Sequence, residues 1–362
     1  MWIGGSLAFL AAIVALVGWQ LSTPFTTNQW DHINRSKQFD GKTFVNTEPE
    51  GGAGDVLDSL RQSILGDEER VPLGVLPVDD LDAGPLDAAP APGLRIAWLG
   101  HATSLVEIDG KRIMFDPMLS DGASPFSLMG PKRFHRAPIH LDHIKGIDAV
   151  FISHNHYDHF DKRTIQRLAT TGAQIFVPIG LKSTLQSWGV SDDQISEVDW
   201  WQETKFFGLT IVTTPARHYS NRGLFDLKKT LWVSWSVIDP EHRVFFSGDS
   251  GYSTQFIKIG AAYGPFDTTL IKIGAYGPGD FWHDVHMTPE EAIQTHLDLR
   301  GKIMVPVHWA TFNLAYHDWR KPIQRARAAA QDKGVRLATP RLGQMFSPNK
   351  ALPASKWWEQ VE

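Results

Sequence analysis

The run His154-Asn155-His156-Tyr157-Asp158-His159 directly follows the apolar stretch Ala149-Val150-Phe151-Ile152-Ser153. β-branched and aromatic residues ahead of a polar cluster read as a short strand, with the polar side chains on the loop that leaves it. Three imidazoles and a carboxylate within six residues are ligand types that suit zinc and similar borderline ions. One helical face presents residues three and four apart and cannot aim all of them at one centre, whereas a loop can. A lone histidine is ordinarily a satisfied surface or core residue; so dense a run is not explained that way. The chain has no cysteine, while structural zinc sites are usually Cys-rich, so the cluster points to catalysis.

Six residues cannot complete two coordination spheres, so further donors are expected on other strand ends. Three places qualify. Thr213-Thr214-Pro215-Ala216-Arg217-His218 ends a strand-like run at a histidine. Val244-Phe245-Phe246-Ser247-Gly248-Asp249-Ser250-Gly251 closes an apolar strand on a carboxylate between glycines, which allow close backbone approach. Ile303-Met304-Val305-Pro306-Val307-His308-Trp309 again ends in a histidine.

The order H-x-H-x-D-H, then His, then Gly-Asp, then His resembles the metallo-β-lactamase superfamily of binuclear metallohydrolases. Within it, the chain is most similar to the branch of the N-acylphosphatidylethanolamine-hydrolysing phospholipase D. That closer match is carried by Phe39 to Asn46, Trp98-Leu99-Gly100-His101-Ala102-Thr103, Phe115-Asp116-Pro117, Gly130 to Phe134, Gly248 to Tyr252 and His308-Trp309-Ala310-Thr311-Phe312. The resemblance implies two Zn2+ per chain. His154, His156 and His218 would hold one, Asp158, His159 and His308 the other, and Asp249 would bridge them. It also gives Asp158 a catalytic role in orienting water, and places His286 near the metals to steady a phosphate or leaving group. Two cations roughly 3.5–4 Å apart can share a hydroxide and stabilise a developing oxyanion.

His286 precedes Thr288-Pro289-Glu290-Glu291, which reads as a helix start with cap and proline. His283 is expected at the surface. Asp116 is a candidate hydrogen-bond partner for a ligating histidine, and His101 sits at another strand end. Arg217 and Tyr219 flank His218 and are read either as substrate contacts or as surface residues. Histidines 32, 135, 140, 143, 242, 296 and 317 are expected to be ordinary surface or core residues.

The fold class expected is α/β. Strands or helices are expected at 94–98, 104–108, 112–115, 149–153, 163–170, 174–178, 181–188, around 210–214 and 231, and at 244–247, 268–273, 289–297, 303–307, 322–333 and 336–338. The resemblance adds a four-layer αββα sandwich, with a hydrophobic helix at the N-terminus. Residues 1–21 are expected to form a membrane anchor or signal segment, 22–93 a linker or strap, 94–348 the binuclear metallohydrolase domain and 349–362 a tail.

Trp2 to Trp19 carries no charge, about the length of a membrane span. With no basic residue before it and no small-x-small site after it, an uncleaved anchor is preferred to a removed signal. Arg35 and Lys37 follow the span, which would leave the body in the cytoplasm; bacterial relatives of the branch point instead to the periplasmic face of an inner membrane. A net charge of -5 without a basic stripe disfavours nucleic acid as a partner. Fourteen tryptophans are present; the pairs Trp200-Trp201 and Trp357-Trp358, near charged residues, could seat at a lipid interface, while core packing is the preferred reading for any single tryptophan.

The resulting expectation is a membrane-associated, zinc-dependent phosphodiesterase of phospholipase D type. It would hydrolyse N-acylphosphatidylethanolamine or a related glycerophospholipid through a metal-bridging hydroxide, with the phospholipid and membrane as partners and a homodimer implied by the branch. The alternatives are a lactonase or carboxylic-ester hydrolase using the same centre, and a noncatalytic metal-binding envelope protein.

Overall fold

Parallel strands need long crossovers and end up buried on both faces, and both halves of the chain from residue 94 onward follow that rule. The computed structural model describes residues 27–51, 61–62, 65–81, 84, 86–126, 129–277 and 280–361. In the first half, β1 (Leu94–Gly100), β2 (Thr103–Ile108) and β3 (Lys111–Phe115) form an antiparallel meander. β4 (Ala149–Phe151), β5 (Gln174–Pro178) and β6 (Ile195–Val198) extend it in parallel.

In the second half, β7 (Glu203–Phe206), β8 (Leu209–Pro215), β9 (Val233–Ile238) and β10 (Arg243–Phe246) run antiparallel, and β11 (Thr268–Lys272) and β12 (Ile303–Val307) join in parallel. A last short strand, β13 (Met345–Phe346), pairs with β1. The sheets are seven-stranded, β13-β1-β2-β3-β4-β5-β6, and six-stranded, β12-β11-β10-β9-β8-β7.

Period-two alternation sends side chains of the first sheet to two cores. Phe115, Phe151 and Phe176 face the second sheet: Phe115 stacks on Phe246 at 4.8 Å and Phe151 meets Trp235 at 5.2 Å. Their neighbours Met114, Val150, Ile175 and Val177 point the other way, into a cluster with Ile165, Leu168 and Leu185. Those residues belong to α2 (Lys162–Ala169) and α3 (Lys182–Ser187), preceded in the chain by α1 (Thr27–Ile33).

The second half carries the helices α4 (Gln255–Tyr263), α5 (Asp280–Val285), α6 (Pro289–Asp298) and α7 (Lys321–Lys333). Three of them send Phe256, Ile259, Ile293, Ile323 and Ala326 into the larger cluster. The result is the expected αββα arrangement. Helix α6 begins at a capping box of Thr288 and Glu291 with Pro289 in its first turn, the start signalled by the sequence.

Most expected elements stand within a residue or two of their expected limits. Strands β6, β7 and β13 and helices α1, α4 and α5 were not anticipated. Strand β7 is a sheet edge with alternate residues exposed, and β13 is only two residues long, so neither has an apolar run to announce it. The segment expected at 336–338 makes only an isolated bridge from Leu337 to Met304.

The lipid-interface reading of Trp357-Trp358 is overturned. They are 3% and 0% exposed, Trp357 lies on Trp309 at 5.2 Å, and its Nε1 donates to the Pro340 carbonyl. Trp200 is likewise buried, donating to the Trp232 carbonyl, which leaves Trp201 as the exposed member of its pair, at 38%. The expected N-terminal hydrophobic helix lies outside the described residues; among those described, no helix is long and apolar enough to cross a membrane.

Candidate metal centre

The donors of the 154–159 loop are aimed by the carboxylate that ends the neighbouring strand. Asp116 follows β3 with φ of 38°. Its Oδ1 accepts from the Ser153 amide at 2.7 Å, and its Oδ2 from the Ser153 hydroxyl at 2.5 Å and from His159 Nδ1 at 2.6 Å. The serine proton is therefore committed to Asp116, and Ser153 Oγ accepts from His154 Nδ1 at 2.9 Å. Both imidazoles thereby turn Nε2 toward the centre, in the way outer partners usually orient ligating histidines. The proposed supporting role of Asp116 thus has a geometric basis.

The second sheet supplies the remaining donors one strand end at a time. His218, after β8, donates Nδ1–H to the Val285 carbonyl at 3.0 Å. Asn46 clamps its backbone, donating to the His218 carbonyl at 2.8 Å and accepting from its amide at 3.1 Å. Asp249 follows β10 across Gly248, whose φ is +55° and where a Cβ would lie 2.6 Å from that of Ser153; only glycine fits there. His308 follows β12 with φ of 63°, its amide donating to the His101 carbonyl at 2.7 Å.

All seven candidate ligands converge. His154 Nε2 lies 2.8 Å from His156 Nδ1, which lies 3.3 Å from His218 Nε2. His101, Asp158, His159 and His308 form a second group, with His101 Nε2 donating to Asp158 at 2.8 Å. Asp249 stands between the two groups: its Oδ1 is 3.1 Å from His308 Nε2, and its Oδ2 is 3.5 Å from His159 Nε2 and 3.9 Å from His218 Nε2. His286 Nδ1 is 3.7 Å from the same Oδ2.

This donor set fits divalent cations. His159 Nε2, His308 Nε2 and Asp249 Oδ1 are buried without a hydrogen-bond partner among the described residues, which is costly unless an ion accepts their lone pairs. Burial holds His154 and His218 well below the usual imidazole range and brings His156 to about 4. Burial also lowers His159, but Asp249, Asp158 and Asp116 outweigh it and hold that imidazole well above its ordinary value. Burial raises Asp158 and Asp249, yet the surrounding histidines win and keep both carboxyls well below theirs. Ionised carboxylates beside the neutral imidazoles of His154, His156 and His218 form a pocket that favours positive charge.

The remaining sequence candidates separate. Arg217 is held by the Pro49 carbonyl and Asp284; Tyr219 packs on His156 at 4.8 Å. His283 has a 48% exposed side chain, as expected. His32, His242 and His296 bond Glu197, Asp109 and Thr269. His135 and His317 are partnered in the core. Sequence reasoning missed Asn46 and Lys272. The latter is buried beside His286, and burial brings it to about 8 against the pull of Asp249, Asp158 and Glu291. A lysine closing the otherwise apolar run Thr268 to Ile273 was the available signal.

A family profile described as a beta-lactamase superfamily domain matches residues 111–309. A Mycobacterium tuberculosis protein is 46% identical over 269 residues, covering 73% of this chain and 72% of that one. The N-acyl-phosphatidylethanolamine-hydrolyzing phospholipase D 1 of Caenorhabditis elegans is 33% identical over 347 residues, covering 90% of this chain and 97% of that one. Among solved structures, a metallo hydrolase from Ignicoccus hospitalis shares 23% identity with a TM-score of 0.53, covering 70% of this chain and 97% of that one, a likeness of fold alone. The chain belongs to the metallo-β-lactamase superfamily, in the branch that includes the N-acylphosphatidylethanolamine-hydrolysing phospholipase D.

Proposed function

We propose that this protein is a zinc-dependent phosphodiesterase of phospholipase D type, converting N-acylphosphatidylethanolamine or a related glycerophospholipid to phosphatidic acid and an N-acylethanolamine. The coarser statement follows from the family: it is a metal-dependent hydrolase of the metallo-β-lactamase fold. The observation that supports the substrate class is the similarity to the Caenorhabditis elegans enzyme along 97% of that enzyme's length. In this reading His154, His156 and His218 hold one ion, Asp158, His159 and His308 the other, and Asp249 reaches both.

Bound there, the cations would supply Lewis acidity and a water with pKa lowered toward ~7. The chain's own residues do the positioning. Asp158, ionised and steadied by His101 Nε2 at 2.8 Å, orients the attacking water toward phosphorus. His286 lies at the more open side of the centre, its side chain 12% exposed, and steadies the phosphate or the departing alcohol. Residues 1–21 would hold the enzyme at the membrane that contains its substrate.

The test is mass spectrometry of products after incubating the zinc-loaded protein with N-acylphosphatidylethanolamine. Phosphatidic acid and N-acylethanolamine in equal amounts are expected. Turnover of lactones or carboxylic esters but of no phosphodiester would overturn the substrate class and leave the metal assignment standing.

A further inference from the structure

Lys272 closes β11 and is 0% exposed. Its Nζ lies 2.6 Å from His286 Nδ1, the one hydrogen bond of this ammonium among the described residues. An ammonium offers three donors and no lone pair. Nδ1 of His286 therefore accepts, and the single proton of the neutral imidazole resides on Nε2. An imidazole whose Nδ1 accepts a hydrogen bond is the neutral ring with its proton on Nε2.

Asp249 Oδ2 also faces Nδ1, at 3.7 Å. Without the lysine, that carboxylate would draw the imidazole proton onto Nδ1 and leave Nε2 as a lone pair. The Nε2 edge takes no hydrogen bond among the described residues. His286 is also less enclosed than three of the histidines around it: its side chain is 12% exposed, against 0% for His159 and His218 and 2% for His308. A neutral histidine can present either a donor or an acceptor to an incoming anion, and only the donor attracts a phosphoryl oxygen.

We propose that Lys272 is a positioning residue that fixes His286 as an Nε2–H donor, so that the imidazole gives a hydrogen bond to a non-bridging phosphoryl oxygen of the substrate. Its part in turnover rests on the phosphodiester reading above; the protonation pattern does not. No group is transferred in this step. The lysine determines which nitrogen carries the proton, and the imidazole carries that choice to the anion.

The test uses the full-length protein labelled with 15N-histidine, metal-free and zinc-loaded. Long-range 1H–15N spectra should show His286 protonated at Nε2 in the wild type and in Lys272→Arg, which keeps an obligate donor, and at Nδ1 in Lys272→Met. Inorganic phosphate should perturb the Nε2 resonance of the wild type and not that of Lys272→Met. With a phosphodiester substrate, Lys272→Met should lose about 100-fold in kcat, the scale of one transition-state donor, with bound zinc unchanged. His286→Ala should lose as much, and the double variant no more than His286→Ala alone. A wild-type His286 carrying its proton on Nδ1 overturns the proposal, and so do losses that multiply in the double variant. Should Lys272→Met not fold, the wild-type and Lys272→Arg spectra still decide the tautomer. The expected spectra and phosphate response without any phosphodiester turnover would overturn the substrate reading and support the assignment of Lys272.

Discussion

The two halves of the centre differ in chemistry. The group of His154, His156 and His218 is all imidazole, with rings kept neutral by burial. The group of Asp158, His159 and His308 includes a carboxylate, and its His159 is held above the ordinary imidazole range by the acids around it. Burial favours free lone pairs in the first group, whereas the acids around His159 favour a proton in the second. The same fold thus prepares two neighbouring positions by opposite electrostatic routes, with Asp249 common to both.

Removing that common element should have the largest effect. Asp249→Ala is expected to lower kcat/KM by at least about 10³-fold, about 4 kcal/mol, and to reduce bound zinc at both positions by elemental analysis. A variant that kept both ions and full activity would erase the link between the groups. Next come the single-group variants. His218→Ala should leave only the mixed group competent, and His308→Ala only the imidazole group, each with one ion per chain lost and turnover reduced by about 100-fold or more.

Those two variants also expose the protonation difference. Calorimetry of zinc binding in buffers of different ionisation enthalpy should show release of about one proton per ion in His218→Ala and close to none in His308→Ala. The sign follows from His159: the acids around it hold its imidazole above the ordinary value against the effect of burial, which favours a proton that metal has to displace, so affinity of the mixed group falls first as pH is lowered. Equal proton release from both would remove the distinction. Asp116→Asn ranks below these, with metal affinity weakened about 10- to 100-fold, and chiefly at His154 and His159. The smallest expected effect is that of Asn46→Ala, which frees the backbone of His218 and should weaken the imidazole group alone by about tenfold, about 1.4 kcal/mol in zinc binding.

The centre was legible where chemistry and local order coincide. The 154–159 run sits on one loop, and His218, Asp249 and His308 each close an apolar strand, so periodicity located all of them before any tertiary contact was known. Asn46 was not legible, because its value lies in bonding a residue 172 positions away. His101 was noticed only as a strand end; that it would donate to Asp158 depends on the bulge between Trp98 and Gly100. Lys272 was hidden for a related reason: a lysine beside an apolar run ordinarily faces water, and only the crossing of β11 under His286 turns it inward. The tryptophan pair at 357–358 failed in reverse, since charged neighbours suggested a surface while the rings had a tertiary partner in Trp309.

That partnership ties the candidate centre to a segment distant in sequence. Trp309 follows the candidate ligand His308 and packs against both Trp98 at 5.3 Å and Trp357 at 5.2 Å. Residues 357–361 therefore brace a coordinating side chain contributed some fifty positions earlier. Displacing residues 357–361 would open one side of Trp309, so damage far from the centre in sequence should still loosen the support of His308.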